Sequence, residues 1–145
     1  MKLQRAGPED AAVVAVLHRL TVRLSLPFLP ELHTPEADLR FFSERLLPDN
    51  ETWLAQIADA PAGYVAFKPG WISHLYVHPE HQGRGVGGAL LAKALKDRAP
   101  RRLWTFQKNL RARRFYEARG FVLVRLTDGR DNEEREPDAL YEWRP

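Results

Sequence analysis

From Leu75 to Gly88 the chain reads Leu75-Tyr76-Val77-His78-Pro79-Glu80-His81-Gln82-Gly83-Arg84-Gly85-Val86-Gly87-Gly88. An apolar strand therefore runs into a glycine-dense loop, and the loop opens the helical pattern of Val86, Ala89, Leu90 and Ala94. Such a segment cannot be one continuous element. Glycine tolerates positive φ and has no Cβ, so consecutive backbone N–H groups can converge on one anion. A helix start adds unpaired donors and a partial positive charge, and Arg84 adds a full one. The alternative is that the glycines shape a turn and nothing more.

Around this unit the 145 residues read as one domain, 1–145, in the element order β-α-α-β-β-β-α-β-α-β-β. Lys2 to Ala6 is extended. A helix follows Gly7-Pro8-Glu9-Asp10, with Ala12, Val13, Val16, Leu17, Leu20 and Leu24 as its apolar stripe. Thr34-Pro35-Glu36 opens a second helix with Leu39, Phe42 and Leu46 along one face. Trp53–Ile57 and Tyr64–Phe67 form a hairpin across the turn-rich segment 59–63, and Trp71–Val77 is the next strand. Leu103–Phe106, a helix from Leu110 to Arg119 stopped by Gly120, and strands at 121–126 and 140–143 complete the chain. The fold class is α/β (α+β), a mixed sheet with helices on its faces.

Composition narrows the class. Cys is absent, which removes disulfides and thiolate metal sites. No run reaches the roughly 18 apolar residues of a membrane span, and the first residues show no signal-peptide core, so a cytoplasmic protein with no membrane partner is expected. Net charge is −3 over residues 1–83, +10 over 84–125 and −4 over 126–145. The basic block either faces an anion or is a solvated arginine-rich surface. Nucleic acid is not the expected partner, because Trp104, Phe106, Phe115 and Tyr116 read as core residues rather than a stacking platform.

Gly83, Gly85 and Gly88 fit the dinucleotide spacing G-x-G-x-x-G, but they follow at least three strands. The next strand ends in Phe106-Gln107-Lys108 without the ribose-binding carboxylate, so a nicotinamide site is not expected. Instead, Gln82-Gly83-Arg84-Gly85-Val86-Gly87 resembles the Q/R-x-x-G-x-G/A signature of the GNAT superfamily, the acetyl-coenzyme A dependent N-acetyltransferases. Asn109 to Phe121 is similar to that family's second motif, N-x-x-A-x-x-x-Y-x-x-x-G-F. The close resemblance covers Leu75 to Phe121.

The resemblance implies a mostly antiparallel sheet of about six or seven strands whose central strands splay apart. It implies acetyl-CoA as co-substrate, with the pyrophosphate wrapped by Gln82, Gly83, Arg84, Gly85, Val86, Gly87 and Gly88. The pantetheine arm would lie along Leu75 and Val77, and Asn109, Ala112 and Tyr116 would flank it. The N–H of Val77 would meet the thioester oxygen, and Tyr116 would be the general acid. A phenol of reference pKa ~10 suits a thiolate whose acid is ~8.5. Asn109 also reads as a helix N-cap, and Tyr116 as a core aromatic beside Phe115 and Phe121.

The attacking amine must lose a proton, and the strand carries no acid. His74, on one face with Tyr76 and His78, is the candidate base; a structural histidine or a water chain to loop carboxylates are the alternatives. His74, His78 and His81 lack an acid or thiol to complete a metal site, so no metal is expected. The acidic segment 128–138 is a solvated loop or an attractor for a cationic amine, and 26–30 is a lid or packing. The activity implied is transfer to a small-molecule or peptide amine by direct attack in a ternary complex, in a monomer or homodimer. The alternative is an inactive acyl-CoA-binding sensor or partner module.

Overall fold

Tight turns join the second, third and fourth strands of the sheet into a meander. The computed structural model describes Met1–Pro145. Its strands are β1 (Lys2–Arg5), β2 (Glu51–Ile57), β3 (Ala60–Lys68), β4 (Gly70–Val77), β5 (Arg101–Phe106), β6 (Val122–Leu126) and β7 (Asp138–Trp143). They form one sheet in the order β1-β2-β3-β4-β5-β7-β6. Every neighbouring pair is antiparallel except β4 and β5, which run parallel. The helices are α1 (Ala11–Ser25), α2 (Pro35–Phe41), α3 (Leu47–Asp49), α4 (Val86–Ala94) and α5 (Leu110–Glu117). No helix is long and apolar enough to cross a membrane.

Alternation along β3 assigns the two faces. Tyr64 and Ala66 join Val14, Leu17, Phe42, Leu46 and Leu54 beneath α1 and the segment after α2. Val65 points the other way, into a core with Val86, Leu90, Leu103, Tyr116 and Tyr141 beneath α4 and α5. Helices thus cover both faces, as expected, because successive strand residues carry apolar side chains to opposite sides.

Four local readings are corrected. The turn between β2 and β3 is not the segment 59–63. It is the pair Ala58 and Asp59, at φ 50° and 65°, after which β3 begins at Ala60. The register shift between Ala55 and Gln56 then absorbs the extra residue that Pro61-Ala62 brings to the strand.

The buried face of α1 is Ala11, Val14, Ala15, Leu17 and Thr21, whereas Val13, Val16, Leu20 and Leu24 are exposed. The apolar stripe misleads here because the inward face carries small and polar residues. In the second helical segment Phe42 and Leu46 are buried but Leu39 is exposed, since Phe42–Leu46 forms a π turn that changes the phase of the face. Trp104, read as core, is 42% exposed, with the Arg125 guanidinium 5.5 Å from its ring.

The α1 correction is measurable by urea denaturation. Leu17→Ala opens a core cavity and is expected to cost about 3 kcal/mol, whereas Leu20→Ala is expected to cost less than about 1 kcal/mol. Equal costs would contradict the buried face described here.

Candidate active site

The parallel strands β4 and β5 pair only at Gly70–Arg101 and Trp71–Arg102. Beyond that point they diverge and leave a cleft of about 570 Å³. On β4 the His78 N–H donates to Ala62 on the β3 side. By alternation, Leu75 and Val77 turn their N–H and C=O groups toward the cleft. Gln82 Nε2 donates to the Val77 carbonyl at 3.0 Å, so the glycine loop is tied back to the strand it follows. The Val77 N–H stays free.

The loop presents its amides. No N–H from Gly83 to Gly88 has an acceptor in the chain; the first paired one is Ala89, which donates to the Gly85 carbonyl at 3.0 Å. Gly83 and Gly85 sit at φ +78° and +81°, where L side chains are strained, and a Cβ on either would point into open space. Gly87 is glycine for another reason: a Cβ there would lie 3.1 Å from the Phe115 ring, so the helix start packs directly on α5. Unpaired donors on an αL-capped helix start form a site for a multiply charged anion.

Nearly all the residues singled out in the sequence line this cleft: His74, Leu75, Val77, Gln82, Gly83, Gly85, Val86, Gly87, Gly88, Asn109, Ala112 and Tyr116. Arg84 does not; it stands exposed on the loop's outer side. Asn109 caps α5, its Oδ1 accepting from the Ala112 N–H at 3.2 Å, with its own amide NH₂ unpaired. Tyr116 is buried against Phe115 and Phe121 at 5.3 and 5.2 Å between ring centres. Its hydroxyl has no protein partner and is not among the sealed unpaired atoms, so it opens on the cleft. Burial, with Tyr76 nearby, raises its pKa and holds the phenol protonated.

His74 is half-buried and takes part in a network the sequence did not reveal. Tyr64 Oη lies 2.8 Å from His74 Nδ1 and 2.8 Å from His18 Nδ1. The two imidazoles stack at 5.2 Å, with Tyr76 edge-on to both. Burial drives the His74 pKa down to about 3, helped by His18, and that of His18 down to about 4. Both rings are neutral near pH 7. The Tyr64 pKa is raised by its full burial, and that of Tyr76 is pushed up to about 12 by burial and by Glu134.

Other cleft residues escaped the sequence reading. Arg111 and Arg119 line its mouth, and Arg119 stacks its guanidinium 3.7 Å from the Phe115 ring, close to Gly88. The +10 block was their only signal. Thr21 Oγ1, buried and unpaired, lines the opposite end. There the acidic segment folds against β5, and Asp128, Asp131, Glu134 and Asp138 share a second cavity of about 430 Å³ with Trp104 and Phe106. Burial raises the Glu134 pKa, with Glu133 adding to the effect. His33 pairs with Glu133 at 2.5 Å, which joins the loop after α1 to that segment, and Phe28 of the same loop packs on Phe106 of β5 at 6.3 Å. No group of three His, Asp or Glu side chains is gathered for a metal.

Residues 18–121, which carry the splayed strand pair and the glycine loop, match the Acetyltransferase (GNAT) family. The chain belongs to the GNAT family. Among its relatives, a probable N-acetyltransferase of Mycobacterium tuberculosis is 29% identical, covering 100% of this chain and 86% of that one. A protein of Archaeoglobus fulgidus named an uncharacterized N-acetyltransferase is 31% identical over 58% of this chain and 69% of its own length. Among solved structures, apo-form YjaB from Escherichia coli superposes with a TM-score of 0.78 at 22% identity, covering 98% of this chain and 96% of that one. The PaiA N-acetyltransferase of Thermoplasma acidophilum, solved with coenzyme A, gives 0.73 at 18% identity, covering 99% and 98%.

The two depressed histidines give a pH prediction. Unfolding restores both to about 6.5, so the unfolded chain binds more protons between pH 4 and 6.5, and stability falls as pH drops through that window. Denaturation midpoints at pH 7 and 5.5 are expected to show this loss in the parent and a smaller one in His74→Gln. A stability independent of pH there would contradict neutral burial of the pair.

Proposed function

We propose that the chain transfers an acetyl group from acetyl-CoA to a primary amine, small molecule or peptide, by direct attack in a ternary complex. The observation that carries this reading is the run of unpaired N–H groups from Gly83 to Gly88 at the mouth of a cleft with free strand edges. The fit is chemical. Six donors suit a diphosphate, Arg111 and Arg119 add charge beside them, and the unpaired edges of Leu75 and Val77 suit the amide-bearing pantetheine chain. Asn109 Nδ2 is a further free donor along that path. The coenzyme supplies a thioester, an acetyl group already activated for attack by an amine.

The residues then divide the work. The Val77 N–H donates to the carbonyl oxygen on which charge builds, an interaction worth about 3–4 kcal/mol in comparable sites. Tyr116 gives its proton to the departing sulfur and regains one from solvent. His74, neutral and open to the cleft, accepts the proton that the amine must shed. Glu134 and Asp131 draw a cationic acceptor toward the far end of the cleft.

Isothermal titration of the folded protein with acetyl-CoA is expected to show one site, and no heat at high micromolar ligand would overturn the reading. Against a panel of primary amines, Tyr116→Phe should lower kcat about 100-fold while leaving coenzyme affinity within about two-fold. Parent-like turnover would remove Tyr116 as the acid.

A further inference from the structure

Tyr64 has one hydroxyl proton and two imidazole neighbours, each 2.8 Å away through Nδ1. A phenol can donate to one of them and must accept from the other. With both rings neutral, one histidine therefore carries its proton on Nδ1 and the other on Nε2. The tautomers are opposite and locked together. The sealed, unpaired side-chain atoms of the protein are Thr21 Oγ1, Thr52 Oγ1, His81 Nδ1 and Arg101 Nε, so neither free Nε2 of this pair is enclosed. The chain of three groups thus runs from the cleft wall, through a side chain with no exposure of its own, to His18 on α1, which does not line the cleft.

We propose that His74, Tyr64 and His18 form a proton wire of fixed polarity that carries the acceptor's proton out of the cleft. The inference rests on the transfer reaction proposed above, with Tyr64 and His18 as positioning residues that act through His74. In the starting polarity His74 bears Nδ1–H and turns the lone pair of Nε2 to the cleft. Tyr64 accepts from His74 and donates to His18, whose proton is on Nε2.

On transfer the acceptor's N–H bond breaks and His74 Nε2–H forms. His74 Nδ1–H passes to Tyr64 oxygen, and the original Tyr64 proton passes to His18 Nδ1. One positive charge has moved from the acceptor to His18, beside Asp38, which is itself paired with Arg19 at 2.7 Å. His18 then releases its Nε2 proton to solvent. After product leaves, the same shifts run in reverse, with His18 taking a proton from solvent and His74 giving one to cleft water.

The groups facing the wire favour passage over storage. Phe41, Phe42 and Tyr76 surround the rings, and no carboxylate pairs with His74. A proton held on His74 would be an unpaired buried cation, and the two low pKa values reflect that cost. An exit route removes it.

Long-range ¹H–¹⁵N NMR of the labelled protein at pH 7 reads the tautomers without any acceptor. The expected result is Nδ1–H on His74 and Nε2–H on His18. The reverse assignment, or the same tautomer on both, overturns the wire. Kinetics test its use, with the fastest amine of the panel as probe. His18→Asn keeps an acceptor for the Tyr64 hydroxyl but cannot pass a proton, and Tyr64→Phe removes the link while preserving the ring.

Both variants are expected to lose about ten-fold or more in kcat, with acetyl-CoA affinity unchanged. Rates in H₂O/D₂O mixtures should be curved for the parent and linear for Tyr64→Phe. Parent-like kcat in His18→Asn overturns the wire, because a hydrogen-bond acceptor alone then suffices. A panel in which nothing is acetylated counts against the transfer reaction, and the tautomer assignment still decides the wire.

Discussion

The parting of β4 from β5 after two paired residues is the constraint on which the cleft depends. A parallel pair that continued would satisfy the backbone of Leu75 and Val77 within the sheet. The pair diverges instead, with Ile72 and Leu103 buried between the strands and Phe115 and Tyr116 of α5 lining the wedge. The sheet then presents unsatisfied edges that a ligand with its own amides can pair with. Such edges are costly when buried dry, so a cleft built this way suits a strand-like guest.

The glycine loop completes the same design at the mouth. Its amides are left without acceptors, and Gln82 ties it to Val77, the residue whose N–H faces the cleft. In the proposed reaction, anchoring and chemistry are therefore mechanically linked over a few residues. Gly87 serves a different end, since its lack of a side chain lets α4 press on Phe115 and fixes the angle at which the helix start meets the cleft.

How much of this could be read from the residues depends on whether the signal is local. The strand–loop–helix unit was legible because strand, glycine and helix patterns follow one another without interruption. Asn109 and Tyr116 were legible through their shared motif, and each does line the cleft. The face of α1 was not legible. Its outward Val13, Val16, Leu20 and Leu24 are at least as hydrophobic as the inward Ala11, Val14, Ala15, Leu17 and Thr21, and only the tertiary structure shows which set is inside. Tyr64 and His18 lie 46 residues apart, so nothing in the linear pattern joins them. The exposure of Trp104, on the interior strand β5, was hidden for a related reason: a large aromatic residue reads as core until its neighbours are known.

The central claim is that the amides from Gly83 to Gly88, and the Val77 edge beyond them, receive the coenzyme. Titrating ¹⁵N-labelled protein with coenzyme A and following the backbone amide resonances tests it most directly. The account predicts that the largest shifts fall on residues 83–88, with Leu75 and Val77 next. Shifts concentrated instead around Asp128 to Asp138, or an unchanged glycine loop at saturating ligand, would contradict it.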